Sequence, residues 1–292
     1  MHIISDDNNC LESHRLPIRV VRAVVVPVMN ALPTFVIQKM LRLSADAAAV
    51  SAQPGSTHAL EVMYTRHHRN MFVNGVFKGI LDHFWHGLFS QPKALRNRLK
   101  IVERLLEEEM LRKIQGNSMD ISILTVGGGS SRAGIHCIER LRKQGVDTHG
   151  IKVKNVDKSQ KAIGLCKDNA EKVGIQNNFE WILADAREVK NLISGGSIDI
   201  VEMVGLLDYF SEEKGIEVIK QIYGTMKDGA LFIVANVHPN KEQRFVHKTG
   251  WPDMYYREPK ELGRMLKNAG FTSEPTIIFE PLKVHIVGVV RK

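Results

Sequence analysis

The segment PTIIFEPLKVHIVGVVRK, residues 275–292, holds two strand-like runs and leaves no room between them for a crossover helix. Two strands so joined can only meet as an antiparallel hairpin. Everything upstream as far as Ser118 reads differently. Strand patterns ISILTV, IKVKNV, FEWILA, IDIVEMV and ALFIVANV alternate with amphipathic patterns such as AGIHCIERLRKQG, KSQKAIGLCKDNAEKVG, EEKGIEVIKQIYGTM and EPKELGRMLKNAG. Such alternation calls for βαβ units and a parallel, twisted sheet. The expected fold is therefore α/β: a seven-stranded, mostly parallel Rossmann-like sheet closed by a C-terminal antiparallel hairpin.

Residues 1–117 have another character. LPIRVVRAVVVPVMNALPTFVIQKMLRL, Leu16 to Leu43, is strongly apolar, but its uncharged run is too short for a membrane helix. Pro27 and Pro33 are expected to break it into a pair of short helices packed on the protein or lying over a pocket. An interfacial membrane contact flanked by Arg15, Arg19 and Arg22 is the alternative left open. Farther on, Leu95, Leu99, Val102, Leu106 and Met110 recur at helical spacing, with Gly116 and Asn117 as the stop signal. The division expected is a helical N-terminal cap, 1–117, and a Rossmann-like domain, 118–292.

Charge and cysteines exclude more than they assign. The net charge is +8, yet basic residues alternate with Glu, as in RNRLKIVERLLEEEMLRK, and no basic run is interleaved with aromatics as single-strand nucleic-acid binding requires. A nucleic-acid partner is not expected. Cys10, Cys137 and Cys166 are odd in number and widely spaced, so they specify neither a disulfide framework nor, with any His, a zinc site. His67, His68, His83 and His86 lack a nearby carboxylate set and read as helix-surface or core residues; no metal is expected. MHIISDDNNC is polar and acidic, unlike a secretory signal, and a reducing cytoplasm is the expected location. The oligomeric state has no sequence signal.

The loop TVGGGSS, Thr125 to Ser131, follows the first strand and opens a helix. Glycines there let backbone approach a ligand closely, and a helix N-terminus offers free N–H groups; a tight turn with no ligand has the same appearance. Asp157 ends the second strand and Asp185 the third. Each has an ordinary structural explanation, a helix N-cap for Asp157 and a surface loop for Asp185. In an open α/β sheet, however, these three strand ends share one carboxyl edge, where ligands bind.

This order of motifs, with the closing hairpin, resembles the class I S-adenosylmethionine-dependent methyltransferases over about Ser118 to Lys292. The resemblance implies that Gly127, Gly128, Gly129, Ser130 and Ser131 hold the cofactor S-adenosylmethionine. It further implies that Asp157, beside Lys158, takes the ribose and that Asp185, with Ala186, meets the adenine. Val204 and Gly205, in the stretch Glu202 to Tyr209, would floor the pocket beneath the methyl group. The chain departs from the family where an acidic residue normally precedes the first glycine: Thr125 and Val126 stand there. It also lacks the Asn/Asp-Pro-Pro-aromatic motif of enzymes that methylate exocyclic amines of DNA bases. Tyr209, His238 and Tyr64 are the candidate catalytic residues, with His67 a further candidate base. Tyr209, Trp251, Tyr255 and Tyr256 are candidates to face a sulfonium by cation–π attraction or, equally, to pack in the core.

The function implied is methyl transfer to a small molecule in a pocket closed by the helical cap. Two alternatives use the same cofactor. One is a cyclase or lyase of the azetidine-2-carboxylate-forming kind, which releases methylthioadenosine; the other is a non-catalytic binding module.

Overall fold

In the computed structural model, which describes residues 1–70, 73, 75–116, 118 and 120–292, the strands form a single sheet. Among the described residues there are eight, numbered along the chain. β1 (His2–Ser5) comes first; β2 (Ile121–Val126), β3 (Ile151–Asp157), β4 (Phe179–Leu183), β5 (Ile198–Met203) and β6 (Met226–Val237) follow. The last two are β7 (Thr276–Phe279) and β8 (His285–Arg291). Their spatial order is β1-β7-β8-β6-β5-β2-β3-β4. β8 runs antiparallel to both β6 and β7, and the other pairings are parallel. The hairpin expected from the shortness of the link between β7 and β8 is therefore present.

The eighth strand corrects the expected count of seven. β1 extends the open edge of β7, pairing His2 with Thr276 through Ser5 with Phe279. Four residues exposed on both faces carry no alternation that a periodicity argument can read, and the strand is specified by a partner 274 positions away in register.

Helices α1 (Leu16–Ala31), α2 (Thr34–Leu41), α3 (Ala45–Ala52), α4 (Thr57–Thr65), α5 (Val76–Leu88) and α6 (Ser90–Gln115) precede β2. α7 (Arg132–Lys143) and α8 (Gln160–Lys172) follow β2 and β3; α9 (Val189–Leu192), α10 (Glu212–Thr225), α11 (Gln243–Lys248) and α12 (Pro259–Asn268) come later. Both sheet faces are covered, which is why the central strands are near-continuous apolar runs. On one face α10 and α12 bury Val218, Ile222, Leu262 and Leu266 against Leu124, Val201 and Phe232. On the other, Ile101, Leu106 and Met110 of α6 and Ile138 of α7 pack with Ile123 and Ile200. α6 thus lies on the sheet, while Leu95 near its start joins a third core with Ile37, Val62, Trp85 and Phe89 of the N-terminal helices.

Pro33 separates α1 from α2 as expected, but Pro27 lies inside α1. A proline there forfeits one backbone hydrogen bond, and α1 runs through it because Val26 and Met29 are buried on its inner side. Its outer stripe, Leu16, Val20, Val24 and Val28, is exposed. Gly116 caps α6, whereas Asn117 lies outside the described residues. His83 contacts the Gly79 carbonyl at 3.0 Å and His86 the Asp46 carboxylate at 3.1 Å. Among the described residues no cluster of His, Cys, Asp and Glu is arranged to hold a metal, and no helix is long and apolar enough to cross a membrane.

Candidate active site

After β2 the chain turns back over the end of β3: the N–H groups of Gly127 and Gly128 both donate to the Val156 carbonyl, at 2.8 and 3.2 Å. Gly127 and Gly129 hold positive φ of 62° and 54°, which glycine adopts without a Cβ penalty. Beneath the turn the Thr125 hydroxyl donates to Asn155 Oδ1 at 2.8 Å, both residues fully buried. Asp157 then fastens the turn from the side: Oδ2 accepts the Gly129 N–H at 2.9 Å, and Oδ1 accepts the Ser159 N–H at 2.8 Å. The cap of α8 is Ser159, not Asp157. The carboxylate is thus free of the N-cap role and stays half-exposed at the strand end.

A cavity of about 860 Å³ opens on this edge. The three turn glycines and Ser130, Asp157 with Lys158, Asp185 with Ala186, and Val204 with Gly205 all line it. Strands β2, β3, β4 and β5 therefore bring ten of the eleven expected cofactor residues together. Ser131 is the exception, buried behind the turn at φ 45° with a hydroxyl that finds no partner. Asp185 is held in a fork by Arg187, Oδ1 to Nε at 2.8 Å and Oδ2 to Nη2 at 3.0 Å. That ion pair keeps its carboxyl down at about 2.

The catalytic candidates divide. Tyr64 and Tyr209 line the cavity. The Tyr209 hydroxyl accepts the Trp251 indole N–H at 3.1 Å, and burial, reinforced by Asp208, pushes its ionisation up to about 12, so it stays a neutral phenol. His238 does not join them. It lies outside the cavity wall, with Nδ1 3.0 Å from the Lys283 carbonyl, Nε2 3.1 Å from Glu258 and its ring edge-on to Phe279. His67 packs against His68 with ring centroids 3.7 Å apart. Burial and the Arg96 charge depress it to about 4.

Two further residues of the cavity carry little or no signal in the sequence pattern. Glu202, expected merely as the first residue of the pocket floor, pairs in register with Thr125 across β2 and β5 and lines the cavity. Its Oε2 is buried without a hydrogen-bond partner, and burial, with Glu103 adding to it against Arg98, raises its carboxyl to about 7. A carboxylate therefore stands on the neighbouring strand, directly across from Thr125. Arg98 of α6, 2% exposed, reaches the same cavity and has an unpartnered Nε. Cross-strand register is the signal that could have revealed Glu202; Arg98 sits in a charge-rich helix pattern that reads as solvated.

The Glu202 shift has a thermodynamic consequence. A carboxyl raised from 4.5 to about 7 binds its proton more tightly in the folded state, so stability falls as pH rises through that window. Glu202→Gln is expected to stabilise the protein by about 1–3 kcal/mol at pH 8 and to have little effect near pH 4, as read by urea unfolding at both values.

The N-terminal helices meet the glycine turn directly. Glu61 of α4 accepts from the Ser130 hydroxyl at 2.8 Å and from the Arg132 guanidinium, and Thr57 lies against Gly129. A Cβ on Gly55 would stand 2.8 Å from Pro252, so the α3–α4 loop also touches the loop that follows α11. Residues 53–64 supply one wall of the cavity.

No protein-family model matches the chain, and no curated protein sequence matches it. Solved structures do. A possible exported protein from Bordetella parapertussis is similar over 94% of both chains, with a TM-score of 0.69 at 13% identity. An O-methyltransferase family protein from Burkholderia thailandensis gives 0.53 at 12% identity, over 86% of this chain and 63% of that one. The magnesium protoporphyrin IX methyltransferase of Synechocystis, solved with bound S-adenosylhomocysteine, gives 0.51 at 15% identity, over 70% and 87% of the two chains. Identities this low establish the fold alone.

Proposed function

Because the chain has the fold of the class I S-adenosylmethionine-dependent methyltransferases, we propose that its sheet-edge cavity binds S-adenosylmethionine and transfers a methyl group to a small molecule. The observation that carries this reading is the convergence of the glycine turn, Asp157, Asp185 and Val204–Gly205 on one cavity.

The residues present suit such a ligand. The glycine turn bares backbone to it, Asp157 keeps lone pairs for a pair of hydroxyls, and Asp185 stands at the next strand end. Glu202 leaves one buried carboxylate oxygen without a donor, a place that favours an ammonium group. When bound, the cofactor supplies an activated methyl on a sulfonium. The chain contributes position: Asp157, itself steadied by the Gly129 N–H, fixes the ribose end, and the phenol of Tyr209, which lines the cavity with Gly205, limits where an acceptor can lie. Residues 53–64 and Pro252 exclude water from the opposite side, which makes the N-terminal helices the closing cap of the site. Holding donor and nucleophile at near-attack distance contributes most of what an in-line displacement needs.

Glu202 favours one second reading. With its carboxyl raised to about 7, it accepts a proton at neutral pH, and a neighbouring α-ammonium group so deprotonated would displace methylthioadenosine within the same molecule. Mass spectrometry of the full chain with S-adenosylmethionine separates the two. Methyl transfer gives S-adenosylhomocysteine, and only with an acceptor present. Enzyme-dependent methylthioadenosine without any acceptor would replace it with the cyclase reading.

A further inference from the structure

Beyond the cofactor cavity lies a smaller apolar compartment of about 80 Å³, walled by Leu41, Val50, Trp85, Phe89, Phe245 and Trp251. Arg98, Gly205 and Tyr209 line both spaces, so they form the partition between them. Arg98 is out of place in such a wall. It is 2% exposed, its Nη2 lies 3.3 Å from the point where a Gly205 Cβ would be, and among the described residues its one side-chain hydrogen bond is long, 3.4 Å to the Tyr64 hydroxyl. Its Nε has no partner, and among the described residues no carboxylate forms an ion pair with it. A buried guanidinium left this way is costly unless an anion completes it.

His285 repeats the pattern. It lines the same compartment at 3% exposure, and both ring nitrogens are buried without a partner. Asp208 and Glu202 feel the Arg98 charge, but among the described residues neither forms an ion pair with it. Asp208 spends Oδ1 on the Val237 N–H at 2.6 Å, and burial raises both Asp208 and Glu202 toward their neutral forms.

We propose that Arg98, with His285 beside it, receives the carboxylate of a small apolar acid that occupies the compartment as the methyl acceptor. This rests on the methyltransferase reading and narrows its substrate class. A guanidinium matches a carboxylate with two parallel donors, and the surrounding Leu, Val, Phe and Trp side chains match a short alkyl body. The carboxylate has two sources, the acceptor or the methionine portion of the cofactor, and the test tells them apart.

The test is calorimetric, on the full chain with and without S-adenosylhomocysteine, using propanoate, butanoate and 2-methylpropanoate, sized to the roughly 80 Å³ compartment, against the corresponding amides. Acids are expected to bind at least about tenfold more tightly than amides, and Arg98→Gln to erase that preference while leaving amide binding unchanged. Absence of an acid preference in the unmodified chain overturns the proposal without any variant having to fold. Arg98→Gln that weakens S-adenosylhomocysteine but not methylthioadenosine assigns the guanidinium to the cofactor and also overturns it. Arg98→Lys, which keeps the charge but not the fork, should retain part of the preference. Failure of S-adenosylhomocysteine to bind the unmodified chain would instead strike the methyltransferase reading, and the acid–amide comparison still reads Arg98 directly.

Discussion

Gly128→Ala is expected to abolish measurable binding of S-adenosylhomocysteine. A Cβ at this position would lie 2.0 Å from Asn155 Oδ1 and 2.5 Å from Thr125 Oγ1, far inside van der Waals contact. Neither neighbour can withdraw, since both are fully buried and hydrogen-bonded to each other. The turn itself must lift, which breaks the paired donation of Gly127 and Gly128 to Val156 and moves the surface the cofactor would lie on. Overpacking of this kind costs about 1–3 kcal/mol of stability, so the variant should fold with a lowered melting temperature. Gly164→Ala is the control: it lies inside α8 with nothing within 4 Å of the new Cβ. Removing a helical glycine there should stabilise the chain by up to about 1 kcal/mol and leave binding unchanged.

Asp157→Ala is expected to weaken cofactor binding by about 1.5–3 kcal/mol, the scale of a charged acceptor lost, or roughly 10- to 150-fold in dissociation constant. Two effects add. The ribose loses its carboxylate, and the N–H groups of Gly129 and Ser159 lose the acceptor that fixes the glycine turn relative to α8. Asp157→Asn separates them, because its amide oxygen can still accept one N–H while offering the ribose a weaker partner. Equilibrium dialysis with labelled S-adenosylmethionine should place Asn between Asp and Ala. Equal affinity for all three would remove Asp157 from the site.

How much of this was legible in the sequence depends on the range of the interaction. Strand–helix alternation and the hairpin after Phe271 are local patterns, and they gave the sheet and its carboxyl edge. Gly127 to Ser130, Asp157 and Asp185 were readable because each sits at a strand end, a position that periodicity locates. β1 was not readable, because four exposed residues are ordered only by the open edge of β7. Pro27 misled because proline propensity is local, while the buried side of α1 is a tertiary fact. His238 follows β6 as expected, but its ring is taken up by Glu258 and Lys283 and does not line the cavity. Arg98 and Glu202 belong to elements distant in sequence, and only the packing of α6 onto the sheet, against β6 and β8, brings them together. Arg98 is invisible to spacing because a charged residue in a charged helix pattern looks solvated, and Glu202 shows only through its cross-strand register with Thr125.

The central claim is that the sheet-edge cavity is an S-adenosylmethionine site built on the glycine turn and Asp157. Calorimetric titration of S-adenosylhomocysteine into the full chain, alongside Gly128→Ala, Asp157→Ala and Gly164→Ala, tests it most directly. The expected result is saturable binding at one site per chain, lost in Gly128→Ala, weakened in Asp157→Ala and intact in Gly164→Ala. No saturable binding, or binding that Gly128→Ala and Asp157→Ala leave untouched, would contradict it.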